Sequence, residues 1–281
     1  LLGLGHALKD MGKQVNLVLE DGVPAIFHHL PGSDEIYKKP IGVYDLAIVL
    51  DCSDISRVGS VLDDYGQADV NIDHHPTNTH FAYLNFVDVK AVATAEMLVD
   101  MFSELSIPIT KTIASPLLTG ILMDSLGFRT SNTTPKALRA AATLQETGID
   151  LSSLYQKVLL QHSYESICYW GRGLSKLKRE GRLLWATLSL EDRRAVGYPG
   201  RDDADLVNLL SSVDDIDICI IFVEQKDGTV KVSWRAKPGF DVSEIAVNFG
   251  GGGHRPAAGA TISGNLDNIT KDVLRATCKL L

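Results

Sequence analysis

The chain has 281 residues, of which 45% are hydrophobic and 22% are charged, and its formal net charge is −8. This composition is ordinary for a soluble globular protein, and the length allows two domains that each bury their own core. The negative charge argues against a protein that coats long duplex nucleic acid, which normally requires a broad basic face. No apolar run approaches the roughly 18 residues that span a membrane.

The four cysteines are scattered and form no Cys-x-x-Cys pair. Four cysteines would permit two disulfides, but this spacing fits buried thiols in a reducing compartment more simply. No signal-peptide pattern opens the chain. We therefore expect a cytoplasmic protein with no membrane association.

The first half of the chain alternates helical and extended patterns. Its extended segments are near-continuous apolar runs, which are typical of a parallel sheet covered on both faces. Thr133 or Thr134 ahead of Pro135 supplies a cap and a first-turn proline for one helix. Strands are predicted at 14–19, 44–50 and 70–72, and helices at 2–11, 91–105, 110–123, 135–147 and 151–160. This order predicts an α/β domain with a doubly wound, mainly parallel sheet.

A different pattern follows a helical stretch at 164–180. The Asp227-Gly228 dipeptide between two apolar runs is a strong hairpin signal. Strands are predicted at 183–188, 218–223 and 230–235, and helices at 206–213 and 266–281. We predict a first domain at 1–160, a helical linker at 161–181 and a smaller α/β domain at 182–281, with a cleft between the two domains.

Acidic and imidazole side chains stand where apolar runs end. Asp51 ends one run, Asp73-His74-His75 ends another, and Asp124 ends a third. A lone aspartate at a strand end is often a helix N-cap. A carboxylate packed with two imidazoles is costly unless a cation binds there, and the carboxyl ends of parallel strands share one crevice. Oxygen and imidazole ligands suit manganese or magnesium, and zinc less well.

These motifs resemble those of the DHH phosphoesterase superfamily. Asp51 matches the second motif of that family, Asp73-His74-His75 the third and Asp124 the fourth. The segment Gly250-Gly251-Gly252-Gly253-His254 matches the DHH-associated C-terminal domain. The layout is similar to bacterial oligoribonucleases that also dephosphorylate 3′-phosphoadenosine 5′-phosphate.

The resemblance also implies roles for individual residues. Asp51 would bridge two Mn²⁺ ions, with Mg²⁺ as the alternative, and His74 and Asp124 would be ligands of one ion. Asp73 would orient an imidazole, and His75 would face the substrate phosphate; these two are the candidate catalytic residues. The first motif of the family, a histidine and two aspartates, is expected upstream of Leu1.

The glycine run at 250–253 indicates close approach of backbone N–H groups to an anion. As a bare pattern it could also be a flexible turn. Because His254 and Arg255 follow, Gly251, Gly252 and Gly253 resemble the substrate-binding loop of the family.

Two further arginines are candidate substrate ligands. Arg235 ends a predicted strand, where its planar guanidinium could grip a terminal phosphate, although an exposed strand-end arginine fits the pattern equally well. Arg129 lies just after Asp124, and it would either contact substrate or pair with an acidic neighbour.

Together, the motifs and the resemblance predict a hydrolase of phosphoester bonds, either an exoribonuclease or a nucleotide phosphatase, that uses metal-activated water. Its expected substrates are short oligoribonucleotides or mononucleotide bisphosphates. The alternatives are a cyclic-dinucleotide or linear dinucleotide phosphodiesterase, or a non-catalytic nucleotide sensor if the first motif is lost. The glycine–histidine loop speaks against an inorganic pyrophosphatase. The sequence leaves open whether the chain forms a homodimer.

Overall fold

The computed structural model describes all residues, 1–281. It divides into two compact units, Leu1–Gln161 and His162–Leu281. No helix combines the length and the apolar character that crossing a bilayer requires. All four cysteines are free thiols.

The first unit contains five short strands and five α-helices. The strands are β1 (Leu17–Val18), β2 (Ile36–Tyr37), β3 (Ile48–Leu50), β4 (Val70–Asp73) and β5 (Leu84–Val87). The helices are α1 (Leu2–Asp10), α2 (Thr94–Glu104), α3 (Lys111–Asp124), α4 (Pro135–Glu146) and α5 (Leu151–Tyr155), and α5 continues into a π-helical turn at Gln156–Leu160. Short 3₁₀ helices occur at Ala25–Phe27, Ser33–Glu35 and Ile55–Leu62.

Both sheets of this unit are parallel, which confirms the prediction. β1 pairs with β2, and a second sheet has the strand order β3-β4-β5. The prediction missed β2 and β5, because two and four residues are too short a run to show a clear period. The predicted strands at 14–19 and 44–50 extend beyond β1 and β3, because an apolar sequence marks burial without marking which residues find a pairing partner.

Helix α3 is the centre of the first core. Its residues Ile113, Leu118, Ile121 and Leu122 are completely buried. It packs against α1, α2 and α4, so apolar residues surround it on several sides, as expected of a central helix. Asp124 is the last residue of this buried helix, so the packing of α3 fixes the position of Asp124.

The second unit is built on one six-stranded sheet. Its strands are β6 (Lys178–Glu180), β7 (Leu183–Leu188), β8 (Ile218–Glu224), β9 (Thr229–Ala236), β10 (Gly252–His254) and β11 (Ala257–Ser263), in the order β10-β11-β9-β8-β7-β6. Its helices are α6 (Tyr164–Leu174), α7 (Leu190–Val196), α8 (Leu206–Leu210), α9 (Ser243–Asn248) and α10 (Leu266–Thr277), and a 3₁₀ helix at Cys278–Leu280 follows. Only β7 and β8 are parallel neighbours. The predicted α/β class is thus confirmed for the chain.

The predicted hairpin is confirmed, since β8 and β9 pair antiparallel around Asp227-Gly228 and Gly228 has a φ of 78°. The helix predicted over 164–180 is too long. It ends at Leu174, and Lys178–Glu180 forms the edge strand β6 beside β7. A charged, exposed edge strand limits pairing with other chains.

Asp192 links α6 and α7 through a buried carboxylate. The side chain is 2% exposed, and it pairs with Arg172 at 3.2 Å and with Lys176. It also accepts hydrogen bonds from the backbone N–H and the hydroxyl of Ser189, both at 2.8 Å. Burial alone would raise the pKa of Asp192, but these partners hold it below its usual range.

Asp192→Asn should therefore lower the free energy of unfolding by about 2 kcal/mol at neutral pH, because hydrogen bonds to a charged group are lost. A lowered pKa means that the ionised form stabilises the fold above the ordinary value of 3.8, and that this stabilisation disappears as the pH falls through the folded-state pKa. Urea unfolding of the variant and of wild type at pH 7 and pH 3 measures this change in the free energy of unfolding. Asp272→Asn, in an exposed pair with Arg275, is the control and should change little. If Asp192→Asn lowered the free energy of unfolding equally at pH 7 and at pH 3, the stabilising role of the ionised carboxylate would be contradicted.

Candidate functional site

The candidate metal centre starts from strand ends in the first unit. Asp51 follows β3 directly, Asp73 is the last residue of β4, and His74 and His75 come next. Because β3 and β4 are parallel neighbours, these residues lie at the same edge of the sheet.

Asp51, His74 and Asp124 come together at this edge. Nε2 of His74 lies 3.4 Å from Oδ1 of Asp51 and 3.7 Å from Oδ2 of Asp124. One ligand atom from each residue lies within 4.8 Å of the others. A metal ion with ligands at about 2.1 Å keeps neighbouring ligand atoms about 3.0–3.4 Å apart. Small side-chain movements would therefore suffice for these three residues to hold one cation.

The ring of His74 is fixed in the orientation that a metal ligand requires. Its side chain is 4% exposed, and Nδ1 lies 3.2 Å from the carbonyl oxygen of Ala91. Because a carbonyl oxygen only accepts hydrogen bonds, Nδ1 carries the proton. The lone pair of the neutral ring is then on Nε2, the nitrogen that faces the two carboxylates.

The charges of the cluster also fit a cation. Burial and the negative charge of Asp51 raise the pKa of Asp124 to about 7. Burial would also raise the pKa of Asp51, but His74, His75 and Thr94 hold it below its usual range. Burial would lower the pKa of His74, yet the hydrogen bond with Asp51 and the charge of Asp124 raise it to about 9. The repulsion between the two carboxylates, which raises the pKa of Asp124, is the kind of repulsion that a divalent cation neutralises.

The buried carboxylate of Asp73 orients the ring of His75. Asp73 is completely buried, and its Oδ1 accepts a hydrogen bond of 2.7 Å from Nδ1 of His75. Its Oδ2 accepts one of 2.6 Å from Nδ2 of Asn78. Burial would raise the pKa of Asp73, but these bonds hold it below its usual range. Since Nδ1 of His75 is committed to Asp73, Nε2 is the nitrogen through which His75 can reach a substrate.

Three residues of this network, Asn71, Asn78 and Thr94, were not predicted from the sequence. Asn78 links Asp73 to Asn71, whose Oδ1 lies 2.8 Å from Nδ2 of Asn78. Thr94 donates its hydroxyl proton to Oδ1 of Asp51 at 2.9 Å. Thr94 is the first residue of α2, so a polar residue at a helix start was the available signal. Asn78 lies in a loop whose sequence gives no such signal.

The backbone at Asp51 is unusual for a residue with a side chain. Its φ is 57°, in the left-handed region. Such strained positions persist where the surrounding structure holds them, and they cluster at functional sites. A cavity of about 120 Å³ adjoins the carboxylates of Asp51 and Asp124, with Thr94 and Gly120 also in its lining.

Arg129 follows an irregular turn after α3. Leu126, Gly127 and Phe128 all have positive φ, and the Arg129 side chain is exposed with Nε donating to the carbonyl oxygen of Leu126 at 2.9 Å. No carboxylate lies within 4 Å of its guanidinium. Of the two interpretations of Arg129, the ion pair with an acidic neighbour therefore finds no support.

In the second unit, sheet register places Arg235 and His254 on one face. Arg235 on β9 is opposite Ala257 on β11, and Ala257 is opposite His254 on β10. Directly opposite residues on neighbouring strands point to the same side of a sheet. The small side chain of Ala257 therefore separates a guanidinium from an imidazole.

Two positions of the glycine run, Gly251 just before β10 and Gly253 within it, are sterically required to be glycine. A Cβ on Gly251 would lie 2.1 Å from the carbonyl oxygen of Gly259, and one on Gly253 would lie 2.6 Å from that of Ala257. A Cβ on Gly252 would meet nothing within 4 Å. The close backbone contacts thus explain why glycine is required at positions 251 and 253. At Gly252 there is space for a side chain.

Arg255 is exposed and pairs with Asp241, with Nε 3.1 Å from Oδ2. A surface pair of this kind is weak, so it leaves the arginine available to exchange partners.

Two family models match the chain. The DHH family N-terminal domain matches residues 1–121, and the DHHA1 domain matches residues 196–279. The chain is also 38% identical over 283 residues to the bifunctional oligoribonuclease and PAP phosphatase NrnA of Thermus thermophilus, a match that covers 98% of this chain and 83% of that protein. The protein of the same name from Mycoplasma genitalium is 30% identical over 240 residues, covering 82% of this chain and 73% of the relative.

A solved structure shares the fold. The crystal structure of an exopolyphosphatase-related protein from Bacteroides fragilis matches with a TM-score of 0.85 at 23% identity, over 98% of this chain and 85% of that chain. Together, the motif geometry, the two domain models and the identity to these relatives establish that the chain belongs to the DHH family and carries a DHHA1 domain after its N-terminal domain.

Proposed function

We propose that the chain is a metal-dependent phosphoesterase that hydrolyses short oligoribonucleotides and 3′-phosphoadenosine 5′-phosphate. The observation that carries the proposal is the cluster of Asp51, His74 and Asp124, whose ligand atoms lie within 4.8 Å of one another. The names of the relatives from Thermus thermophilus and Mycoplasma genitalium support the substrate class.

Asp51, His74 and Asp124 would hold the metal. The mixture of carboxylate oxygens and an imidazole nitrogen supports Mn²⁺ as the preferred ion, with Mg²⁺ as a substitute. We propose two ions, with Asp51 reaching both. When bound, such ions supply a nucleophile at neutral pH by lowering the pKa of water, and they polarise the phosphoryl group.

The imidazole of His75 would stabilise the phosphoryl oxygens as negative charge grows on them. Asp73 supports this role because it accepts from Nδ1 at 2.7 Å and so fixes the direction of Nε2. Arg129, exposed and without an ion pair, would add a positive charge.

The second unit would bind a terminal phosphate or the nucleotide next to it. Arg235 and His254 share one sheet face with Ala257 between them, and Gly251, Gly252 and Gly253 bring the backbone of β10 beside that face. Arg255 would contribute after leaving Asp241. A few local cationic groups on a chain of net charge −8 support a small anionic substrate over a long polyanion.

We also propose a cytoplasmic location and a homodimer. The four free thiols support a reducing compartment. The edge strand β5 leaves Leu84 and Phe86 58% and 48% exposed, which supports self-association through an apolar surface. Light scattering of the purified protein tests the dimer, and a mass of one chain at micromolar concentration would reject it.

The substrate proposal is tested with the full chain, Mn²⁺ and two substrates, a 5′-phosphorylated RNA dinucleotide and 3′-phosphoadenosine 5′-phosphate. We expect turnover of both, complete loss after removal of metal with a chelator, and recovery when Mn²⁺ is added back. Turnover of neither substrate by protein that binds Mn²⁺ would reject the substrate class. Hydrolysis of a cyclic dinucleotide alone would instead identify the cyclic-dinucleotide alternative.

A further inference from the structure

The guanidinium of Arg235 is held on one side and open on the other. Its Nε donates a hydrogen bond of 2.9 Å to Oδ1 of Asn208, and its Nη1 donates one of 2.9 Å to the carbonyl oxygen of Trp234. Nη2 has no hydrogen-bond partner, and no carboxylate lies within 4 Å of the group. Arginine has five N–H donors, so three of them, all on the Nη end, remain for a ligand.

Asn208 is itself fixed in the orientation that this bond requires. Its Nδ2 donates to Oδ1 of Asp205 at 3.3 Å, which assigns the amide oxygen to the side that faces Arg235. Asp205 and the preceding Ala204 both have left-handed backbones, with φ of 65° and 51°. The carbonyl oxygen of Ala204 accepts a hydrogen bond of 2.7 Å from Nε1 of Trp170, which pins this turn.

The chemistry of the partner matters as much as its position. A carboxylate next to Nε would orient the guanidinium but also neutralise it, and an anionic ligand would then gain less. The neutral amide of Asn208 orients the group without forming an ion pair, and the carboxylates of Asp203 and Asp205 act on the guanidinium only from longer range. Because Ala257 is the cross-strand neighbour of Arg235, no bulky side chain stands beside the guanidinium on that strand.

We propose that Asn208 is a positioning residue that holds the guanidinium of Arg235 with its Nη end directed at a terminal phosphate of the substrate. The phosphate is bound end-on through Nη1 and Nη2, which is the geometry of a bidentate arginine–phosphate contact. This inference rests on the proposed function, in which Arg235 contacts substrate. It adds a residue, Asn208, that no motif marks.

The test compares Asn208→Leu with wild type on a dinucleotide with and without a 5′-phosphate, in the full chain with Mn²⁺. We expect a rise in KM of about tenfold, equivalent to about 1.4 kcal/mol, for the phosphorylated dinucleotide only, with kcat little changed. In an Arg235→Leu background the same substitution should have no further effect. Asn208→Asp keeps the acceptor but adds a negative charge, so it should also raise KM for the phosphorylated substrate.

Asn268→Leu is the matched control, since Asn268 is an exposed helical asparagine of the same unit whose side chain makes no hydrogen bond; it should leave both KM values unchanged. Equal effects of Asn208→Leu on the two substrates, or an effect that persists in the Arg235→Leu background, would overturn the inference and identify a purely structural role.

Binding separates this inference from the proposed function. Calorimetry with 5′-AMP and adenosine reports the phosphate contact without turnover. If wild type hydrolyses neither dinucleotide but binds 5′-AMP about tenfold more tightly than Asn208→Leu does, the proposed function is wrong and the positioning role stands. If both proteins bind 5′-AMP equally, or neither binds it, the positioning role is rejected.

Discussion

Asp51→Asn should lower kcat/KM by about a thousandfold, which corresponds to about 4 kcal/mol of lost transition-state stabilisation. The substitution keeps the size and the hydrogen-bonding capacity of the side chain, and removes the negative charge that lies 3.4 Å from Nε2 of His74. A neutral amide is a poor ligand for a divalent cation. Steady-state kinetics with Mn²⁺, together with metal titration by calorimetry, measures the loss, and His74→Asn should give a similar one.

Asp54→Asn is the control for this experiment. Asp54 lies only three residues further along the chain, but its carboxylate caps a 3₁₀ helix by accepting from the backbone N–H of Ser56 at 2.8 Å. Asparagine caps helices equally well, so activity should stay close to wild type. Equal activity of Asp51→Asn and wild type would remove the basis for the metal centre.

Gly251→Ala should destabilise the second unit by about 3 kcal/mol, because an added methyl group overpacks a close backbone contact. The new Cβ would lie 2.1 Å from the carbonyl oxygen of Gly259 and 2.7 Å from the Cα of Ala260. Backbone atoms cannot rotate away as a flexible side chain can, so β10 and β11 would have to separate. Chemical denaturation of the full chain measures the effect.

Gly252→Ala is the matched variant at the next residue, and it tests the part of the glycine run that could contact substrate. Its Cβ would meet nothing within 4 Å, so the fold should tolerate it. If β10 approaches the substrate closely, the methyl group should raise KM by about tenfold, equivalent to about 1.4 kcal/mol. Normal stability with an unchanged KM would show that Gly252 has no part in binding.

Local patterns predicted the main architecture of the fold. The apolar run before Asp73 gave β4, Pro135 with its preceding threonine gave the start of α4, and Asp227-Gly228 gave the turn of the β8–β9 hairpin. These features depend on neighbours in sequence. The strands β2, β5, β6, β10 and β11 were missed. The first four are two to four residues long, and β11 consists largely of alanine, glycine and serine, which have low strand propensity.

The candidate site likewise contains residues that the sequence predicted and residues that it did not. Asp51, His74 and Asp124 could be selected because each stands at the end of an apolar run. The proximity of Asp51 to His74 followed from the rule for parallel strands, whereas that of Asp124, at the end of a helix, was implied by the family resemblance. The shared face of Arg235 and His254 depends on strand register, which the sequence does not reveal. Asn78 and Asn208 act through single hydrogen bonds from loop or short-helix positions, and such contacts have no periodic signature.

The left-handed backbone of Asp51 limits how this position can vary through evolution. Alanine or leucine there would lose the carboxylate and keep the steric penalty of a positive φ. Asparagine or glycine would tolerate this conformation as well as aspartate does, but either would surrender the negative charge. Aspartate is therefore the residue that satisfies both the left-handed geometry and the ionic chemistry at this position.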